Sequence, residues 1–296
     1  MQTCKYCQST NVVKHAKRGN VQRYLCKACN HHFLDNNVNF PRMRVNDHVI
    51  VTALNLYYGG LSTYKVAEQL SDIFGENVSH VTVLNWVQKY SVMVAEYVKT
   101  LKPETSGKIH HDETVVKIDK DNKWFWEAID EETRFLVASH LSNSRTLVET
   151  TQQFKKIKEG CNPQPSVIFV DGSNTYDQAF EFAFGNPNKV GRPELVKRVG
   201  IRARETNNMV ERVHGTLKDR LRPARGLKHN DTAKTWLDGY VINYNYCRTH
   251  KAIGQTPAQA AGIKVKGWKQ LIQNAQASQC EEESKSQQII EVKVSN

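Results

Sequence analysis

Apolar residues recur at helical spacing from about residue 45 to 101, alternate at strand spacing from about 109 to 142, and return to a helical period further on. In the first helical stretch, "VNDHVIVTALNLYYGG" puts Val49, Ala53 and Leu56 on one face and stops at Gly59 and Gly60. "LSTYKVAEQLSDIFG" follows from a Ser62 cap with Val66, Leu70 and Ile73 inward, and "VSHVTVLNWVQKYS" from a Ser79 cap with Val81, Leu84, Trp86 and Val87 as apolar positions. Two short helices joined by a turn suit a helix-turn-helix: the second opens with polar Ser79, His80 and Thr82 and carries Asn85, Gln88 and Lys89 toward a groove. A plain helical hairpin packed on the next domain has the same pattern.

The alternating stretch reads as three short strands over 109–118, 123–130 and 134–142, joined by polar turns at "DKDN" and "EET". A helix over 144–160 comes next. "PSVIFVDGS" (165–173) is a near-continuous apolar run, as in a central strand covered on both faces. A helix at about 175–184, a short strand "LVKRVG" (195–200) and a long helix in "TNNMVERVHGTLKDRLRP" (206–223) complete the order. Three strands, helix, strand, helix, strand, helix predicts an α/β fold of the ribonuclease-H-like kind, a mixed five-stranded sheet with flanking helices. The expected organisation is a small unit over 1–40, a helix-turn-helix domain over 41–102, the sheet domain over 103–262, and a C-terminal helix and polar tail over 263–296. The Ser-, Gln- and Glu-rich stretch from about Ala275 is expected to fray.

Charge narrows the partners. Lys and Arg outnumber Asp and Glu by 41 to 30, a net charge of +11. The excess gathers in two places: residues 1–44 carry eight basic and one acidic side chain, residues 189–228 twelve and four. One such stretch alone reads equally well as a solvated face; two together favour nucleic acid. No run of 18 apolar residues occurs, and the N-terminus lacks the pattern of a signal peptide, so a cytoplasmic, nucleoid-associated protein with no membrane partner is expected.

Seven cysteines include two tight pairs, Cys4 and Cys7 in "CKYC" and Cys26 and Cys29 in "CKAC". Two Cys-x2-Cys turns at this spacing complete a tetrahedral sulfur shell for structural Zn²⁺, the arrangement of a zinc ribbon. So short a segment has no sufficient core of its own, and metal binding supplies its folding energy. His15, His31 and His32 are superfluous once four sulfurs are counted. Cys161, Cys247 and Cys280 read as isolated buried thiols.

The sheet order gives three carboxylates meaning. Asp112 lies in the first strand, Asp171 ends the buried strand, and Glu211 sits on the last helix. An Asp after "VIFV" is either a cap for the following turn or a ligand. On the last helix Val210, Val213, Leu217 and Leu221 form the apolar stripe, with Asn207, Glu211, His214 and Lys218 on the shoulder beside it. Glu211 and Lys218, two turns apart, read either as a surface charge pair or as an oxygen ligand and a phosphate-binding cation along one groove. Three carboxylates from two strands and a helix suit two Mg²⁺ (or Mn²⁺) ions at a phosphodiester, with Asp112 bridging and Asp171 and Glu211 each completing one shell. Flanking cations, Arg212 and Arg222 among them, would hold the DNA backbone. Glu113 points to the other side of its strand and reads as a bystander. His110 and His111 read as strand histidines with ordinary hydrogen bonds, Trp124 and Trp126 as core.

The motifs "HHDETVVKI…KWFWEAID", "VIFVDGSNTY", "NNMVERVHGTLKDRLRP" and "YNYCRTHKAIGQTPAQAAG" resemble, in order and type, the catalytic domain of DDE transposases of prokaryotic insertion sequences, of the insertion-sequence-six-like group, over about residues 108–262. The resemblance implies Asp112 and Asp171 as metal ligands, Glu211 as the third, and Lys218 as the cation seven residues on. It also implies an insertion, "FGNPNKVGRP" (184–193), that loops out. The expected activity is binding of element ends and target duplex DNA, nicking, and transfer of the 3′-hydroxyl, in a homodimer or larger assembly. Two other readings use the same features: a zinc-ribbon DNA-binding regulator on an inactive domain, and a metal-dependent nuclease without strand transfer.

Overall fold

The computed structural model describes residues 2–35, 40–41, 43–186, 188–197, 208–224 and 227–294. Strand residues 198–200 and the shoulder residue Asn207 lie outside this range. At the N-terminus, β1 (Val12–Arg18), β2 (Val21–Cys26) and β3 (His32–Leu34) form an antiparallel meander. Gly19 turns the first hairpin with φ +60°, in the left-handed region that only glycine enters freely. Little apolar surface is gathered there: Phe33 packs among Cys4, Cys26 and Cys29.

Three capped helices follow. The Asn46 side chain accepts from the His48 N–H to start α1 (Asp47–Tyr58), Ser62 accepts from Lys65 N–H to start α2 (Thr63–Phe74), and Ser79 accepts from Thr82 N–H to start α3 (His80–Val98). The expected helix starts hold, but α3 is a long helix, and its inward stripe differs from the one expected. Val83, Trp86, Val87, Tyr90 and Val94 are buried, whereas Val81 and Leu84 are 51% and 38% exposed. On α2, Ile73 is 59% exposed where it was expected inward. The longer helix rotates the optimum stripe by keeping i, i+3, i+4 and i+7 spacing through Val94, where α3 packs on later helices.

The central sheet combines β4 (Lys108–Ile118), β5 (Asp121–Asp130), β6 (Leu136–Ser142), β7 (Val167–Val170) and β8 (Glu194–Lys197) in the order β6-β5-β4-β7-β8. Strand β5 is antiparallel to both neighbours, while β7 runs parallel to β4 and to β8. This is the ribonuclease-H-like sheet. Helices α4 (Leu147–Gly160) and α5 (Thr175–Phe184) cover one face, burying Phe154, Ile157 and Phe180 against Ile109, Trp126 and Ile168. The other face meets α6 (Asn208–Leu221) and α7 (Asn230–Ile242) through Val116, Phe125 and Ile129. Between α5 and β8, where the resemblance implies an insertion, Val190 is 98% exposed.

The helices of the N-terminal half and the sheet domain share one apolar cluster. At Gly239 of α7 an added Cβ would stand 1.8 Å from the Tyr58 hydroxyl, so only glycine permits the approach of α1. Tyr58 in turn is hydrogen-bonded to Ser91 of α3 at 2.7 Å. A π-turn (Asn243–Cys247) follows α7, and its Asn245 side chain bonds both the N–H and the C=O of Leu136, pairing the exposed edge of β6. After a short α8 (Pro257–Ala260), α9 runs from Gly267 to Val294. The stretch from Ala275, expected to fray, is helical as far as Val294. Trp268, Leu271, Ile272 and Ala275 dock α9 on the common core, and helix growth from a packed start carries the polar sequence along. Among the described residues no helix is long and apolar enough to cross a membrane.

Candidate active site and zinc centre

Parallel pairing of β4 and β7 sets Lys108 beside Val167, Ile109 beside Ile168 and His110 beside Phe169. Two residues on, the same register sets Asp112 beside Asp171, just past the carboxyl end of β7. Carboxylate oxygens of Asp112, Glu113 and Asp171 all lie within 4.8 Å of one another. Glu113 is therefore no bystander. Strand alternation sends it to the face opposite Asp112, but β7 stops at Val170, and beyond that point both faces of β4 open onto the same uncovered edge.

Arg145, in the connection from β6 to α4, pairs with Glu113 and also reaches Asp171, Nη2 to Oδ2 at 3.4 Å. The Tyr176 hydroxyl donates to Glu113 at 2.5 Å. The Asp171 carboxylate also accepts from the Ser173 N–H at 2.9 Å, so the residue caps the turn and belongs to the cluster at once. Sequence reading missed Arg145 and Tyr176 because nothing local distinguishes them; only the fold brings them to the strand ends.

Burial pushes the Asp112 carboxyl up to about 7, and the neighbouring charges of Glu113 and Asp171 add to the rise. Burial also raises Glu113, against the opposing pull of Tyr176 and Arg145. Such crowding of half-desolvated carboxylates is costly unless a cation neutralises it, and oxygen donors of this kind are what Mg²⁺ takes. The residues fit the ion.

Beneath Asp112 lies a second layer. Glu127 of β5 faces Asp112 in register, is fully buried, and has no hydrogen-bond partner for either oxygen. Burial, with Asp112 nearby, lifts it to about 8. The His214 ring on α6 spans the two, Nε2 at 3.4 Å from Glu127 and Nδ1 at 3.9 Å from Asp112. Burial, then Lys218 and His111, lowers His214 to about 4, so at neutral pH His214 and Glu127 face each other uncharged rather than as an ion pair. His111 Nδ1 bonds the Glu127 carbonyl oxygen at 3.0 Å, and His110 lies 3.1 Å from Glu131, both ordinary strand contacts. Trp126 is buried and Trp124 partly so, as core residues.

Glu211 is exposed on α6, outside the group of three within 4.8 Å, one turn before the His214 that faces Asp112. Val210, Val213 and Leu217 are buried and Leu221 packs beside them, so the apolar stripe is the expected one. Lys218 is exposed two turns beyond Glu211, Arg212 is exposed on the helix's other flank, and Arg222 is exposed in the 3-10 turn that follows. On α3, Ser79 and Thr82 are spent on the cap, His80 stacks on Tyr64 with ring centroids 3.9 Å apart, and Asn85 and Lys89 are exposed.

In the ribbon, Sγ atoms of Cys4 and Cys29, and of Cys7 and Cys26, are each 3.6 Å apart, and all four lie within 4.8 Å. Metal–sulfur bonds of about 2.3 Å in a tetrahedron require sulfur separations of roughly 3.8 Å, so the four thiols fit one zinc ion. Cys280 of α9 is not isolated: it packs into the ribbon core, its Sγ 3.5 Å from His31 Nδ1 and grouped with Cys29. His31 Nδ1 also lies 2.9 Å from the Cys29 carbonyl oxygen, the bond of a donor nitrogen. Cys161 and Cys247 have no such company among the described residues.

A cluster of carboxylates at adjacent strand ends on a ribonuclease-H-like sheet is the site of a class of metal-dependent phosphoryl-transfer proteins. Residues 106–250 match the family model for the DDE domain of IS240-type transposases. The chain is 28% identical over 216 residues to the uncharacterized protein MJ0017 of Methanocaldococcus jannaschii, covering 71% of this chain and 91% of that one. Among solved structures it is similar to the integrase catalytic core domain of HTLV-2 in complex with magnesium, in trimeric and dimeric forms. Both are 16% identical and cover 54% of this chain and 98% of that one, with TM-scores of 0.39 and 0.40. A simian T-cell lymphotropic virus intasome in complex with the PP2A regulatory subunit B56 gamma is 12% identical, covering 71% and 73%, with a TM-score of 0.41.

Proposed function

We propose that the protein is a DNA transposase that binds element ends, nicks the DNA and joins the freed 3′-hydroxyl to target DNA. The observation that carries this reading is the meeting of Asp112 and Asp171, with Glu113, at the ends of β4 and β7 inside the matched DDE domain. Asp112 and Asp171 would hold Mg²⁺ or Mn²⁺, with Glu211 reaching in from α6, for two ions per site. When bound, these ions make a hydroxyl more acidic and stabilise the leaving oxygen. Arg145 fixes Glu113 and Asp171 in place through its ion pairs, and Lys218 and Arg222 hold the phosphate backbone beside them. The ribbon, with zinc on Cys4, Cys7, Cys26 and Cys29, and the exposed face of α3, with Ser79, His80, Thr82, Asn85 and Lys89, bind the terminal repeats. Joining two ends requires a homodimer or larger assembly, acting on chromosomal DNA in a prokaryotic cytoplasm.

The test is a strand-transfer assay with duplexes carrying the element's terminal inverted repeats, in Mg²⁺. Asp112→Asn, Asp171→Asn and Glu211→Gln each abolish joining while end binding survives; a variant of near-normal activity removes its residue from the site. Cleavage without joined product in the wild type identifies a nuclease, and binding without cleavage a regulator. Glu113→Gln decides whether the carboxylate beside Asp112 serves as a ligand or only anchors Arg145.

A further inference from the structure

On the flank of α6 turned away from the carboxylates, a cavity of about 490 Å³ opens between the helix, the turn after β5 and the loop after the π-turn. Its floor is apolar, with Ile129, Val213 and Tyr244. Its walls are cationic: Arg134, Arg212, Arg248 and Lys251 line it together with Thr216 and His250. None of these four cations has a carboxylate partner within ion-pair distance among the described residues. Clustered cations repel, and a chain without use for them would balance them with acids as it does at Lys197 and Asp177.

Two further features mark this as a built pocket rather than a charged surface. Arg134 adopts φ +62°, a left-handed conformation that costs a non-glycine side chain about 1 kcal/mol or more and persists where the surroundings impose it. Its Nε is buried without a hydrogen-bond partner, so the protein by itself leaves a guanidinium donor in the pocket unsatisfied. Arg248 is held toward the helix by Thr216, Nη1 to Oγ1 at 3.4 Å, and the same hydroxyl donates to the Arg212 carbonyl at 3.0 Å. The charges also reach inward: after burial, Arg248 and then Arg134 contribute to the lowering of His250.

We propose that this pocket binds one backbone phosphate of a DNA strand lying across α6, a second anchoring point distinct from the carboxylate cleft. Planar guanidinium groups match a phosphate's oxygens, and three of them around a Thr hydroxyl suit one dianionic or diester group better than a point contact by lysine. His214 faces Asp112 from one flank of α6 while Val213 lies in the pocket floor on the other. A phosphate there sits about one helix diameter, ~10–12 Å, from the metal-binding carboxylates, which holds the strand in register without touching the chemistry. The inference rests on the reading of the chain as a DNA-binding transposase.

The test measures affinity of the full-length protein for a linear duplex across a salt series. Loss of one phosphate contact lowers the slope of log K against log salt by about 0.9. The Arg134→Gln, Arg248→Gln double variant is expected to show that drop, with about tenfold weaker binding at low salt. Thr216→Val, which removes no charge, is expected to weaken binding with the slope unchanged. Lys264→Gln, an exposed cation elsewhere, leaves both alone. Unchanged melting temperature and zinc content show that the double variant is folded; should it unfold, the single Arg248→Gln carries the same slope test. Wild-type binding with a slope that the pocket variants do not alter, or that Lys264→Gln lowers equally, overturns the pocket while leaving the transposase reading intact. No salt-dependent duplex binding by the wild type overturns both.

Discussion

In the ribbon, four sulfurs stand in pairs 3.6 Å apart, with only Cys7 short of full burial, and no position is left for another molecule. In the sheet domain, three carboxylates share a space of similar size, yet the Asp171 side chain stays 42% exposed and a cation, Arg145, already occupies part of the surround. The first centre substitutes for a core that a three-stranded meander cannot build. The second sits on a sheet packed on both faces, so its groups are free to repel one another because the fold does not depend on them. Metal in the one would be a structural element; metal in the other would be a partner for charge stored at strand ends.

The largest expected effect follows from that difference. Removing zinc with a chelator takes away the ~10 kcal/mol or more that metal contributes to small zinc domains, so β1–β3 lose amide-exchange protection and end binding disappears. Withdrawing Mg²⁺ leaves exchange protection of β4–β8 unchanged and abolishes only turnover. Protection of β1–β3 that survives zinc removal would erase the contrast. Cys26→Ser should reproduce the zinc-free state, since burial of Cys26 leaves no room for water as a replacement ligand.

Next in size is the pair Asp112→Asn and Asp171→Asn. Each is expected to lower strand transfer by a factor of about 10³ or more, the order lost when a principal electrostatic group is taken from a reaction centre. Stability should move the other way. With no metal present, neutralising one of three crowded carboxylates relieves repulsion, and the melting temperature is expected to hold or rise. A marked fall in melting temperature for both variants would show that the carboxylates support the fold after all.

How far each centre was legible follows from the same contrast. Two Cys-x2-Cys turns carry their geometry in the spacing, so the ribbon's ligands are readable one by one. The register that sets Asp112 beside Asp171 depends on β4 pairing with β7, more than 50 residues away in the chain, and the sequence supplied only the order of elements from which that pairing follows. Alternation gave the side of Glu113 but not its company, because β4 loses its neighbour at Val170 and both of its faces open onto one edge there. Val81 and Leu84 were misplaced for a related reason: periodicity within a short window allows two stripes, and packing of α3 along its whole length selects the other. The docking of Cys280 on the ribbon, across 251 residues from Cys29, left no local trace at all.

Proton coupling gives a smaller, graded effect at the carboxylates. Asp112, lifted to about 7, must lose its proton before it can hold a cation. Mg²⁺ affinity is therefore expected to rise about tenfold per pH unit below pH 7 and to level off above it, read by titration of the metal-induced rise in melting temperature. Asp112→Asn should weaken binding and flatten this dependence. A wild-type affinity that is constant from pH 5.5 to 8 would place the proton elsewhere.

The smallest effect isolates Glu127, the buried carboxyl behind Asp112. Its folded value of about 8 lies above that of an exposed glutamate, so the folded state holds the proton more tightly than the unfolded chain does. The stability this contributes is fully present below about pH 4.5, falls as pH rises, and is gone once pH passes about 8. Glu127→Gln keeps the shape and removes the titration. The variant is expected to trail the wild type near pH 4.5, by the pH-independent cost of the unsatisfied amide, and to gain on it steadily as pH rises to 8. Denaturant melts at the two pH values measure the difference directly, and comparing variant with wild type cancels His111 and His250, which titrate in both. If the advantage of glutamine did not grow with pH, Glu127 would be ionised in the folded protein and paired with a charged His214, and the layer beneath Asp112 would carry charge rather than hold a neutral contact.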